Sequence, residues 1–262
     1  MWQLLRIEWL KIKNYTTFWV LMGLYAVSMV GINVIVGAIF NKAPKDPLTQ
    51  ALMGGGIFSF PQVWQTVTYF SGLVLFMPGL LIIIHVTNEY NFKTHRQNII
   101  DGVARKQYIL VKLISVLLVS LFSTLLVLGN VLGFGFYQPD ASFSADGIHY
   151  LGIFFMQCFM YCSLALLLSV LLKRSGIVIG LFFLYSTIIE NMLAGITNEF
   201  TKSVGYFFPL ESVDKQIPFP IFREIAKNMI TPPPTHWLML TGCIYIALFM
   251  FITHWRFQKA DL

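Results

Sequence analysis

The residues of this chain that could do covalent chemistry are few and scattered. Its five histidines, His85, His95, His149, His236 and His254, include no pair at metal-ligand spacing and no H-E-x-x-H motif, the arrangement that sets two imidazoles on one helix face beside a glutamate base. There is no G-x-S-x-G nucleophile elbow and no G-x-x-x-x-G-K-[ST] phosphate loop. Cys158 and Cys162 lie four apart on one helix face. With Cys243 they are too few for a closed metal site, and packing in an apolar interior is the expected role of all three. The residue chemistry therefore points away from catalysis and toward charge placement.

Two polar stretches stand out against a mostly apolar chain. The first runs from Asn88 to Lys112 and holds Glu89, Lys93, Arg96, Asp101, Arg105, Lys106 and Lys112. Thr94 is a fair helix N-cap, Ile99, Ile100 and Val103 form a short apolar face, and Gly102 is a natural helix stop. A short helix lying along a membrane surface fits, and so does a solvated basic turn that only fixes topology. The second is Glu190-Asn191 within an apolar run. An ionisable residue inside a span faces a bundle interior or a cavity, so the pair is a candidate contact on a transport path. The alternative is that the span ends near Glu190 at the outer interface.

The elements that carry these stretches follow from composition. The chain has 262 residues, 56% of them hydrophobic and 11% charged, a net charge of +6 and a mean hydropathy of +0.70. Ordinary soluble domains carry roughly 25% charge, so a soluble globule is excluded, and so is disorder. The 18 Lys and Arg are spread over chain ends and loops, which disfavours nucleic acid as a partner. A bilayer crossing takes about 20 mostly apolar residues. Six such runs are expected, at about 17–40, 62–87, 109–136, 150–172, 177–195 and 236–255, with a kink at Pro78 in the second. The first sixteen residues mix Arg6, Glu8, Lys11 and Lys13 with Trp2, Leu5, Trp9 and Ile12. The spacing of three and four predicts an amphipathic helix on the membrane face rather than a signal peptide.

Orientation follows from Lys and Arg. With the N-terminus inside, the segments 1–16, 88–112, 173–176 and 256–262 hold twelve. The outer segments 41–61, 137–149 and 196–235 hold two, none and four. His85 and His254 then fall near inner span ends, where imidazoles anchor or cap. Asn33, Asn130 and Gln157 are lone polar residues suited to interhelical hydrogen bonds, and the pairs Gly129/Gly133 and Gly176/Gly180 fit close helix approach. Segment 196–235 carries Phe207-Phe208-Pro209, Pro218-Phe219-Pro220 and Pro232-Pro233-Pro234. That composition suggests pieces dipping back into the outer leaflet, with an amphipathic helix over 221–230.

The run Glu89-Tyr90, Thr94-His95-Arg96-Gln97, Arg105-Lys106 and Lys112 resembles the cytoplasmic loop of ABC-2 type transporter permeases. In that family the loop holds a coupling helix that touches a separate ATPase. The amphipathic start, six spans, the basic turn Lys173-Arg174-Ser175-Gly176 and a long outer segment between spans 5 and 6 are similar in layout. Many members carry Gly just before the Thr, where this chain has Lys93.

The resemblance implies an all-α polytopic membrane protein, residues 1–262 forming a single ABC-2 type transmembrane domain. It would have six transmembrane helices, an N-terminal interface helix, a cytoplasmic coupling helix and a re-entrant outer segment. It would sit in a bacterial plasma membrane with both termini cytoplasmic. It implies a permease subunit of an ATP-driven exporter for hydrophobic or amphipathic cargo, not itself an enzyme. Its partners would be an ATP-binding cassette ATPase subunit, a second permease copy and membrane lipid. The chain would hold no cofactor, with ATP and Mg on the partner ATPase. Glu89, Thr94, Arg96, Arg105 and Lys106 are the expected ATPase-coupling residues, and Glu190 and Asn191 the expected substrate path. A membrane scaffold that moves no cargo is the competing expectation.

Overall fold

The computed structural model describes residues 2–42, 56–138, 142–201, 203–220 and 233–259. All secondary structure among them is helical. Helices α1 (Trp2–Lys13), α2 (Thr16–Lys42), α3 (Gln62–Gly72), α4 (Phe76–Asn91) and the short α5 (Thr94–Ile100) lead to α6 (Arg105–Phe136) and α7 (His149–Leu172). Then α8 (Ser175–Leu184) passes through a π-helical turn (Tyr185–Ile189) into α9 (Glu190–Thr201). A 3-10 turn (Val204–Phe207) and the one-turn α10 (Glu211–Asp214) precede α11 (Thr235–Lys259).

Five helices are long and apolar enough to cross a bilayer: Thr16–Phe40, Arg105–Phe136, His149–Leu172, Ser175–Thr201 and Thr235–Lys259. The pair α3 and α4, bent by 46°, makes a sixth if it is one span. These are the runs expected from hydropathy, in an architecture compatible with a polytopic membrane protein. The expected kink falls upstream of Pro78. The break is at Leu73–Leu75, and Pro78 lies in the first turn of α4. A proline ring clashes with the carbonyl four residues earlier, here that of Val74, so the chain breaks there. The expected 221–230 helix and Pro232 lie outside the described residues.

Contacts between loops sort the bundle into two ends. Lys173 Nζ sits over the Tyr90 ring, 5.8 Å from its centroid, and Arg105 donates to the Gln258 carbonyl at 2.8 Å. So α1, the 88–112 stretch, the 173–175 turn and the end of α11 share one charged end. At the far end Trp64 Nε1 donates to the Ser144 carbonyl at 2.8 Å and Gln65 Nε2 to the Pro218 carbonyl at 2.7 Å. A 32-residue helix such as α6 spans about 48 Å, against roughly 30 Å of hydrocarbon. It is therefore longer than such a layer is thick, and its first turns carry Arg105, Lys106, Tyr108 and Lys112.

Helix α7 is the hub, with 72% of its apolar window buried, whereas the windows of α2 and α11 are 28% and 17% buried. Apolar side chains such as Val27, Ile35, Leu240 and Phe251 face outward from those two, which lipid accommodates without cost. Asn33 donates to the Met29 carbonyl at 2.9 Å and lies 3.4 Å from Ser71 Oγ, joining α2 to α3. The expected glycine pairs are not contact points: nothing lies within 4 Å of a Cβ built on Gly129, Gly133, Gly176 or Gly180. Close approach occurs instead at Gly79, where such a Cβ would stand 2.3 Å from Phe182 Cζ, and at Gly242, 2.3 Å from Met156 Cε.

Candidate functional site: a buried charge quartet beneath a surface helix

Three helices meet at the charged end through side chains paired within each helix at spacings of three or four. Helix α1 contributes Glu8 and Lys11, α4 contributes His85 and Glu89, and α6 contributes Tyr108 and Lys112. Lys11 Nζ bridges the two Oε1 atoms, at 3.0 Å to Glu8 and 2.6 Å to Glu89. Lys112 Nζ bridges the two Oε2 atoms, at 2.9 Å to each. His85 Nε2 donates to Glu8 Oε2 at 2.9 Å, and the Tyr108 hydroxyl donates to Glu89 Oε2. Every carboxylate oxygen is used, and the two acids and two ammonium groups cancel.

Burial makes this geometry consequential. Lys112 is 1% exposed, and Glu8 and Glu89 are also buried. Breaking a buried pair by removing one partner costs about 3–5 kcal/mol, because the survivor is left unpaired. Burial pushes the Glu8 carboxyl up, but the hydrogen bond from His85 and the charges of Lys112 and Lys11 hold it well below the usual carboxylate range. Burial lowers Lys11, and the charges of Glu89 and Glu8 overcome it and raise the ammonium above its ordinary value. Both groups are held charged.

Helix α1 turns these charges inward and leaves Ile7, Trp9 and Leu10 exposed. A helix forms where one was expected, docked on its bundle by charge, but of the expected apolar residues Trp9 is exposed while Ile12 packs against the core.

The surface helix α5 hangs on the same cluster. Lys93 precedes it in the left-handed region, at φ 56°, which lets the chain reverse out of α4. Glycine adopts that conformation without a Cβ penalty, so Lys93 holds it at a cost. Thr94 does not cap α5; it is the first helical residue, with its hydroxyl 3.5 Å from the Glu89 carbonyl. His95 Nδ1 donates to that carbonyl at 3.0 Å, and its ring packs 4.5 Å from the ring of Tyr90. Gly102 ends α5 as expected. At φ 95° it allows Gly102 N to reach Ile99 O at 3.1 Å and Val103 N to reach Asn98 O at 3.0 Å, the paired bonds of a Schellman stop.

The expected coupling residues divide. Arg96 and Lys106 are exposed, together with Phe92 at 75% and Ile100 at 82%. Within α5, Arg96 and Ile100 lie four apart on one exposed face, while Phe92 precedes the reversal at Lys93. Glu89 is not on the surface; its charge is spent on Lys11, Lys112 and Tyr108. Arg105 is engaged with the Gln258 carbonyl. The candidate path residues also part company. The apolar helix continues to Thr201, so Glu190 is not at its end. Glu190 is 2% exposed and accepts from the backbone N–H groups of Leu210 at 2.5 Å and Glu211 at 3.0 Å. Asn191 faces outward, donating to the Thr187 carbonyl at 3.1 Å.

Sequence reasoning missed that Glu8, Lys11, His85, Tyr108 and Lys112 join Glu89 in one cluster. The signal available was three polar pairs at helical spacing, each at the edge of an apolar run.

The fold and this cluster define an all-helical protein whose apolar bundle is compatible with repeated membrane crossing, fastened at one end to a surface helix. A family model described as "Protein of unknown function (DUF2705)" matches residues 53–262, and the chain belongs to that family. No curated protein matches the chain.

Proposed function

We propose that this chain is the membrane subunit of an ATP-driven exporter, moving hydrophobic or amphipathic cargo with energy from a separate ATPase. Helix α5 is the coupling helix in this reading, the charged end is cytoplasmic and holds both termini, and the host is a bacterial plasma membrane. Two copies, or this chain and a related permease, enclose the path, and residues 203–220 are the re-entrant outer segment.

The observation that carries the reading is the double use of Glu89. Its backbone carbonyl holds α5 through His95, and its carboxylate is locked to α1 and α6. A force on the exposed Arg96–Ile100 face of α5 is passed through Glu89 to three helices, because breaking its ion pairs exposes an unpaired buried charge. Arg96 and Lys106 meet the ATPase by charge, and Ile100 by apolar contact. ATP and Mg bind the ATPase, and this chain performs no covalent step.

The test is gentle solubilisation from the native host followed by mass spectrometry of intact complexes, with wild type and an Arg96→Glu/Ile100→Asp variant. Both substituted side chains are exposed, so the variant folds. The expected result is a two-plus-two assembly with an ATPase for wild type and loss of the ATPase from the variant. Wild-type complexes with no ATPase across several detergents would overturn the reading in favour of a scaffold that moves no cargo.

A further inference from the structure

The charged end is sorted by sign. Glu8 and Glu89 are buried among their partners, and Asp101 is the one exposed carboxylate there among the described residues. Lys and Arg side chains of α1, the 88–106 stretch, the 173–174 turn and the end of α11 are exposed.

Two of these bases share a face of α1 with apolar side chains. Arg6, Leu10 and Lys13 recur at spacings of four and three and form one exposed stripe, with Trp9 beside it. On the opposite side Glu8 enters the quartet and Ile12 packs against the core, so the stripe points away from the bundle. Neither the Arg6 nor the Lys13 side chain has a hydrogen bond or ion pair among the described residues. Trp19, exposed in the first turn of α2, donates through Nε1 to the Lys13 carbonyl at 3.2 Å. That bond holds the end of α1 against the start of an apolar helix whose own window is 28% buried. The arrangement recurs at the end of α11, where Trp255 is exposed, Lys259 Nζ lies 4.5 Å from its ring centroid and Arg256 is exposed beside it.

Tryptophan at the edge of a hydrocarbon layer sets its ring against acyl chains and its N–H among headgroups. Basic side chains lay their stems along apolar surface and put their charge at the phosphates. The apolar residues between Arg6 and Lys13 separate this face from a solvated one, and its single sign of charge selects among headgroups. We propose that the Arg6–Lys13 face of α1 is a docking surface for anionic phospholipid, with the phosphate at Arg6 and Lys13 and the acyl chains against Trp9, Leu10 and the outward face of α2. The quartet permits this. Glu8 is the only acid of α1, and Lys11 and Lys112 neutralise it inside the protein, so no carboxylate of α1 opposes the lipid's charge. The inference rests on the chain lying in a bilayer and not on the exporter reading, and its test needs no ATPase.

The full chain is reconstituted in phosphatidylcholine vesicles, and Trp9 emission is read as the difference between wild type and Trp9→Phe. Brominated phosphatidylglycerol or brominated phosphatidylcholine is added stepwise as the quencher. The expected result is an association constant for phosphatidylglycerol about 25-fold above that for phosphatidylcholine, roughly fivefold for each basic side chain. Arg6→Gln/Lys13→Gln, changed at two exposed positions, is expected to remove that preference and leave quenching by phosphatidylcholine unchanged. Arg6→Lys/Lys13→Arg is expected to keep it. Equal quenching of wild type by the two lipids would overturn the inference, as would a preference that survives in the Gln variant. Trp9 emission untouched by either lipid would also overturn it, leaving an acidic protein surface as the occupant of this face.

Discussion

Lys112 Nζ lies 2.9 Å from Glu8 Oε2, joining residues 104 positions apart in the chain. Both side chains are buried, so the bond is a tie between α1 and α6 rather than a surface ornament. Lys112→Met keeps much of the side-chain volume and removes the charge. The expected loss is about 3–5 kcal/mol, measured by thermal unfolding in detergent. Glu8→Gln added to it should cost less than the sum of the singles, because the two residues share one interaction.

The same cluster sets a pH window. The Glu8 carboxyl is depressed, so its contribution is complete above the ordinary value of 4.5 and is lost as pH falls through the lower folded value. The Lys11 ammonium is raised, so its contribution is complete below 10.5 and is lost as pH rises through the higher folded value. The Glu8 and Lys11 contributions are both complete between about pH 5 and pH 10, and protection of the α1 amides should fall below and above those limits.

Lys93 holds a backbone conformation that L-residues adopt at a cost of about 1–2 kcal/mol. Lys93→Gly removes that cost and gives back part of it as unfolded-state entropy. The expected net gain is about 0.5–1 kcal/mol in thermal stability, with the approach to α5 unchanged. Lys93→Val, β-branched at the same position, should be destabilising.

Gly79 and Phe182 bring α4 and α8 together. Gly79→Ala would put a methyl 2.3 Å from a ring that is fully buried, and overpacking of this kind costs about 1–3 kcal/mol. Gly129→Ala and Gly133→Ala meet open space and should leave unfolding of the isolated chain within about 0.5 kcal/mol of wild type. Equal melting temperatures for all three variants would contradict the packing described.

Much of the fold was legible because bilayer thickness sets helix length, and apolar runs of about 20 residues can be counted directly. Gly102 was legible as a stop because its role is local. Pro78 disclosed a bend but displaced it, since the clash falls on Val74, four residues upstream. The site was legible only in part. Glu89 stood out as a charge, yet a residue list does not say that Lys112 and Glu8 are already turned toward it. Glu190 drew notice for the same reason. Its role of holding the 210–211 backbone depends on a chain reversal twenty residues later, which no periodicity encodes.

The quartet also has an order of manufacture. Glu8, Lys11, His85 and Glu89 all precede Lys112 in the chain, so when α6 leaves the ribosome both carboxylates that receive its ammonium have already been made. A nascent α6 therefore need never wait with its lysine unmatched. If α1 were deleted, the first effect would appear in biogenesis, as α6 hesitating at the translocon, before any question of the finished protein's stability arose.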